Sequence, residues 1–173
     1  NGWAFASVPL STIPAPYSAT LSSNPGLVTW QFNMRQIRPD PAGFSSTASY
    51  GVAYILSTNS TSPDTGIGKT GYAVTLGESG TVDPIHLVRF SGGLQNTVTP
   101  IIDSNTAGLT DFGAEYLSVR VTYNPSNNQW ELFLRNDGTT AFSDPGTGTL
   151  VSQGTVVDST YVNTAFTNMG AYW

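Results

Sequence analysis

Glycine and proline interrupt this chain so often that a helix has nowhere to form. Eighteen Gly and eleven Pro are spread along 173 residues. No window carries apolar residues at 3.6-residue spacing for three turns without a breaker. The short segments between the breakers have a period of two instead. Over residues 27–35, Val28, Trp30, Phe32 and Met34 point one way and Thr29, Gln31, Asn33 and Arg35 the other, as in a half-buried strand. Residues 50–56 set Tyr50, Val52, Tyr54 and Leu56 against Gly51 and Ala53, and Tyr72, Val74 and Leu76 repeat the pattern after Gly71. Residues 85–90 are largely apolar on both faces, which suits a strand covered from two sides or one lining a groove.

The clearest unit spans residues 116–135. Leu117, Val119, Val121 and Tyr123 alternate with Ser118, Arg120 and Thr122, and residues 124–128 (Asn-Pro-Ser-Asn-Asn) supply a turn. Trp130, Leu132 and Leu134 then alternate with Glu131 and Phe133. This predicts a β-hairpin with a five-residue connection, Arg120 and Glu131 lying near each other on its outer face. Asn136-Asp137-Gly138 is a further turn. The tail is less regular, with short strands expected at 155–157 and 161–166.

Short strands without helices predict an all-β fold, a two-sheet antiparallel β-sandwich, with barrel closure as the competing arrangement. No repeat of fixed period points to a propeller or solenoid. The Pro-rich stretch 10–19 reads as a loop, and no internal linker divides the chain. Residues 1–173 are therefore expected to form a single β-sandwich domain. Starting at Asn1 without a leader pattern, the chain reads as excised from a larger multidomain protein.

Charge narrows the function. Only 10% of residues are charged, 6 Lys plus Arg against 11 Asp plus Glu. The cations stand singly, so the basic stripe that nucleic-acid binding needs is missing. Abundant aromatic residues with few charges oppose disorder, and no apolar run is long enough for a membrane span. Without Cys there are neither disulfides nor thiolate metal sites. A surface with 42 Ser and Thr and a single Lys favours an extracellular or cell-surface location.

Four features together resemble the concanavalin A-like lectin/glucanase superfamily, the jelly-roll group that includes laminin G-like and legume-lectin-like domains. They are Gly2-Trp3, the Trp30-Gln31-Phe32 strand, residues 71–76 followed by 85–90, and residues 117–138 with Trp130 at their centre. The likeness is greatest to the non-catalytic versions carried in large secreted bacterial proteins. The resemblance implies a jelly roll whose closing strand pairs beside the first one. The end at Ala171-Tyr172-Trp173 leaves open whether that strand is present.

Glucanases of this superfamily place paired carboxylates on one strand. Here Glu78 sits in a turn, Glu115 precedes the hairpin and Glu131 stands alone on its outer face, so the paired motif is absent. His86, the single histidine, excludes a His-rich zinc site and suits either a surface strand position or a groove. Calcium is the expected cofactor if any, on Asp103 and Asn105 with Asp111, or on Asp64, or on Asp137 with Asn136. The calcium-binding pattern of legume-type lectins is not matched residue by residue. Sugar recognition needs a flat ring with polar groups around it. The residues singled out for ligand binding are His86, Arg89, Phe90, Arg120, Glu131 and Phe133, although each aromatic also suits sealing a core edge. The expected function is a non-catalytic lectin-like module binding glycans or cell-surface polysaccharide beside other domains of its parent. A structural or adhesive spacer is the alternative, and a glycoside hydrolase-like enzyme comes third.

Overall fold

Where the alternation is strictest, the strands form as expected. The computed structural model describes residues 2–38, 40–44 and 50–173. Its strands are β1 (Phe5–Pro9), β2 (Val28–Met34), β3 (Val52–Thr58), β4 (Thr70–Leu76), β5 (Ile85–Ser91), β6 (Thr97–Asp103), β7 (Leu117–Asn124), β8 (Gln129–Asn136), β9 (Val151–Val157) and β10 (Asn168–Tyr172). Two short 3₁₀ turns, Leu10–Thr12 and Leu21–Ser23, are the helical pieces among the described residues. One sheet has six strands in the order β1-β10-β3-β4-β5-β6, the other four in the order β2-β7-β8-β9. All pairings are antiparallel. The result is an all-β, two-sheet antiparallel sandwich.

The inward positions of both sheets fill the space between them. Trp30 of β2 stacks on Trp130 of β8 with ring centroids 5.9 Å apart, and Tyr72 of β4 closes on Trp130 at 4.4 Å. Burying a ring of this size removes on the order of 150–250 Å² from water, about 4–6 kcal/mol of gross hydrophobic stabilisation. A polar knot sits beside these rings. Asp158, just after β9, accepts hydrogen bonds from the Tyr72 hydroxyl at 2.7 Å and the Thr160 N–H at 3.0 Å, and it pairs with Arg89. Its carboxyl is held below the usual range: burial opposes this, but the Tyr72, Thr160 and Arg89 contacts prevail.

A second apolar cluster lies on the outer face of the six-stranded sheet. Ile55, Ala73, Val88, Phe90 and Tyr172 are covered there by Trp3, Phe5 and Phe44. Strand β5 is thus covered from both sides, the first of the two arrangements its sequence allowed. Gly71 makes this packing possible: a Cβ there would lie 2.6 Å from the Phe90 ring and 2.2 Å from the Ser57 carbonyl oxygen.

Three details differ from the sequence expectations, and one that they left open is answered. The closing strand is present, as β10 lies between β1 and β3. Residues 161–166 form turns rather than a strand, although Val162 and Phe166 still reach the core. Strands β1 and β6, not foreseen, lie at sheet edges and do not alternate: β1 is largely exposed, and β6 mixes exposed and half-buried positions and contains Pro100. The hairpin turns through residues 125–128, one fewer than expected, with Asn128 in the left-handed region at φ 56°.

Candidate binding groove

Alternation in the four-stranded sheet decides which side chains face outward. With Trp30, Val121 and Leu132 committed to the core, Gln31, Arg120 and Phe133 are left on the opposite face. The register sets these three in one row across β2, β7 and β8, with Ser152 of β9 continuing it. Thr29, Thr122, Glu131 and Thr155 form the next row. A groove of about 450 Å³ runs over these rows, reaching Leu27 at one end and Asn124 and Gln129 beside it.

Arg120 is the distinctive group in this groove. Its guanidinium lies 4.1 Å above the centroid of the Phe133 ring, and its Nε is sealed from solvent without a hydrogen-bond partner. Four of the other five cations bond within the protein, and Arg38 lies 4.9 Å over the Tyr50 ring. Arg35 donates to the Ala114 carbonyl, Arg89 pairs with Asp158, Arg135 with Asp137, and Lys69 with Asp64. A partly exposed cation–π contact contributes about 0.5–1 kcal/mol, whereas an unsatisfied buried donor costs about 1–3 kcal/mol. On that balance the stack does little for the stability of the fold.

Glu131 lies diagonally from Arg120, each facing a different partner across the hairpin, and no ion pair joins them among the described residues. The Ser152 hydroxyl donates to Glu131 Oε1 at 2.6 Å and holds that carboxylate in place. Beyond Leu27 the surface continues into a hollow of about 550 Å³ against Pro14, Pro16 and Tyr17. The Tyr17 hydroxyl has no partner, and burial pushes its pKa up to about 12.

The six residues singled out by sequence therefore occupy three places. Arg120, Glu131 and Phe133 share the groove. Arg89 turns inward to Asp158. Phe90, 1% exposed, belongs to the second apolar cluster on the outer face of the other sheet. His86 lies on that same outer face, where its Nδ1 meets Asp103 Oδ1 at 2.7 Å and its Nε2 lies 3.7 Å from Glu78 Oε2. Sequence reasoning passed over Thr29, Gln31 and Thr122, though their outward positions on alternating strands were the signal to follow.

The candidate calcium ligands are also dispersed in their bonding. Asp103 holds His86, the Asn105 amide oxygen accepts from the Thr106 hydroxyl, and Asp111 Oδ1 accepts the Asp83 N–H at 3.0 Å. Asp64 and Asp137 are ion-paired with Lys69 and Arg135. Among the described residues, no three His, Asp or Glu side chains stand together in a geometry that could hold a metal ion.

No known protein family, curated protein or solved structure matches the chain. Fold and groove define its class as an all-β, two-sheet antiparallel sandwich, jelly-roll-like in general form. No helix among the described residues is long and apolar enough to cross a membrane.

Proposed function

We propose that this domain is a non-catalytic, lectin-like carbohydrate-binding module of the concanavalin A-like kind, acting outside the cell, with its glycan laid along the outer face of the four-stranded sheet. The supporting observation is the Arg120–Phe133 stack, set in a groove whose other walls are Leu27, amides, hydroxyls and one carboxylate. A sugar ring presents an apolar face and a rim of hydroxyls. The stacked pair offers it a flat surface, and Gln31, Thr29, Thr122, Asn124 and Glu131 offer hydrogen-bonding groups around that surface. Glycoside cleavage needs two carboxyl groups flanking the scissile bond. Glu131 is the one carboxylate lining this groove, which favours binding over hydrolysis.

A broad glycan array, run with calcium and again with EDTA, tests this reading. The expected result is binding to a related set of glycans by the wild-type chain, lost in Arg120→Ala and Phe133→Ala variants that remain folded. Silence from a folded wild-type protein across plant and bacterial polysaccharides overturns it in favour of a structural or adhesive spacer.

A further inference from the structure

Where the paired ends of β1 and β10 meet the chain leaving β2, a second cavity opens that shares no residue with the groove. It holds about 310 Å³ and is lined by Trp3, Gln36, Arg38, Tyr50 and Trp173, with Gly2 and Gly51 between them. Small-ligand sites begin at about 300 Å³, so this one has room for a single ring system and not for a long chain.

The fold fixes its walls. Trp3 lies flat on Tyr172, ring centroids 5.4 Å apart and planes 8° from parallel, and leans on Phe44 at 5.1 Å. The Trp173 backbone exchanges two hydrogen bonds with Ala4, at 2.8 and 3.1 Å, while the residue stays 52% exposed. The Arg38 guanidinium stands 4.9 Å from the centroid of the Tyr50 ring, and the Tyr50 hydroxyl donates to the Asp40 carbonyl. Gln36 Oε1 accepts the Ile37 and Arg38 N–H groups at 3.0 and 3.3 Å. Its oxygen is thus committed to the backbone and its NH₂ is left to donate.

Rings and donors make up this lining, with no opposite charge. Among the described residues, the Arg38 guanidinium, the Gln36 NH₂ and the indole N–H groups of Trp3 and Trp173 donate to nothing in the protein. No Asp or Glu stands in the wall. The chain carries eleven acidic residues against six basic ones, yet Arg38 pairs with none of them among the described residues. An unpaired cation between aromatic walls complements a ligand that is apolar over its faces and anionic at its edge.

We infer that this cavity is a second ligand site, taking a compact ring that bears a carboxylate. Trp3, Tyr50 and Trp173 cover the faces of the ring, and Arg38 and the Gln36 amide hold the carboxylate. The planar guanidinium matches the two oxygens of a carboxylate better than any point charge does. Aromatic acids and sugar acids share this chemistry. The inference is independent of the glycan groove.

The test titrates the whole 173-residue chain with benzoate and with galacturonate, each beside its neutral counterpart, benzamide or galactose, following tryptophan emission and binding heat. Trp30 and Trp130 are 6% and 0% exposed, and neither groove nor hollow contains a tryptophan, so an emission change reports Trp3 and Trp173. At least one acid should bind about tenfold or more tighter than its neutral counterpart. Arg38→Gln should remove that preference, and Trp173→Ala should weaken the acid about tenfold. Both replace exposed side chains, so their urea midpoints should match wild type. A response to benzoate alone assigns the site to aromatic acids, and one to galacturonate alone to sugar acids. Neither acid binding at concentrations on the order of 10 mM overturns the inference. So does equal binding of acid and neutral counterpart, or an undiminished preference in Arg38→Gln. A galacturonate response lost in Phe133→Ala but kept in Arg38→Gln also overturns it, by placing the acid in the groove.

Discussion

The two outer faces of this sandwich meet solvent in opposite ways. On the six-stranded sheet the chain covers its own surface: Trp3 stacks on Tyr172 at 5.4 Å, and Phe44 and Phe5 help to bury Phe90 and Val88 beneath them. On the four-stranded sheet residues 143–147 return over the end at Asn33, Ser118 and Arg135, but the groove beyond them stays open, and there Phe133 lies against the guanidinium of Arg120. Both faces present a phenylalanine from a strand that pairs on either side. The difference teaches that an outward aromatic indicates a ligand surface only where no other part of the chain returns to cover it.

The largest expected effects sharpen this contrast. Phe90→Ala should lower unfolding free energy by about 3–5 kcal/mol in urea, as for any large ring taken from a packed core. Phe133→Ala should cost no more than about 1 kcal/mol, since it loses a half-exposed ring and one cation–π contact. Equal losses at the two positions would erase the distinction between a sealed and an open face.

Next in size is the polar knot. Asp158→Ala leaves the Tyr72 hydroxyl and the Arg89 guanidinium without their acceptor, and should destabilise by about 3 kcal/mol in the same measurement. Arg89, singled out by sequence as a ligand group, would then be revealed as a stabilising one. A neutral result would mean that water replaces the carboxylate.

Smaller still is a pH effect in which two kinds of buried carboxylate oppose each other. Asp137 and Asp158 sit below the ordinary carboxylate value, burial being outweighed by Arg135 and Ser118 for the first and by Tyr72, Thr160 and Arg89 for the second. Their stability is present above the unfolded carboxyl range, near pH 4, and is lost as pH falls through their folded values. Asp83 is raised, first by burial and then by neighbouring charge. The stability from its proton is present at low pH and is lost as pH rises through its folded value. Tm measured against pH should therefore fall less in Asp83→Asn than in wild type as pH rises above about 4. Asp158→Asn should instead weaken the loss on acidification. Identical profiles for wild type and Asp83→Asn would contradict the buried, repelled state of that carboxylate.

Much of this molecule was legible because strands with one covered face must alternate. That rule located β2, β7 and β8, set Trp30 and Trp130 in the core, and left Arg120, Glu131 and Phe133 on a common outer face. It could not separate Phe90 from Phe133, since the cover over Phe90 comes from residues far away in sequence, Trp3 and Phe44. Nor could it find β1, whose side chains mostly remain in water, or β6, an edge strand of mixed exposure interrupted by Pro100. Asp83 was passed over for a related reason. It lies in the loop between β4 and β5, where residues 111–112 return to bond its backbone and the Glu78 N–H bonds its carboxylate.

The most direct test of the glycan groove is a ¹⁵N NMR titration of the whole chain with a glycan selected from the array. Amide shifts should concentrate at Thr29, Gln31, Arg120, Thr122, Glu131 and Phe133, and the same titration of Phe133→Ala should leave them unmoved. Shifts confined to the covered face, around His86, Val88 and Phe90, would contradict the account and place the ligand on the other sheet.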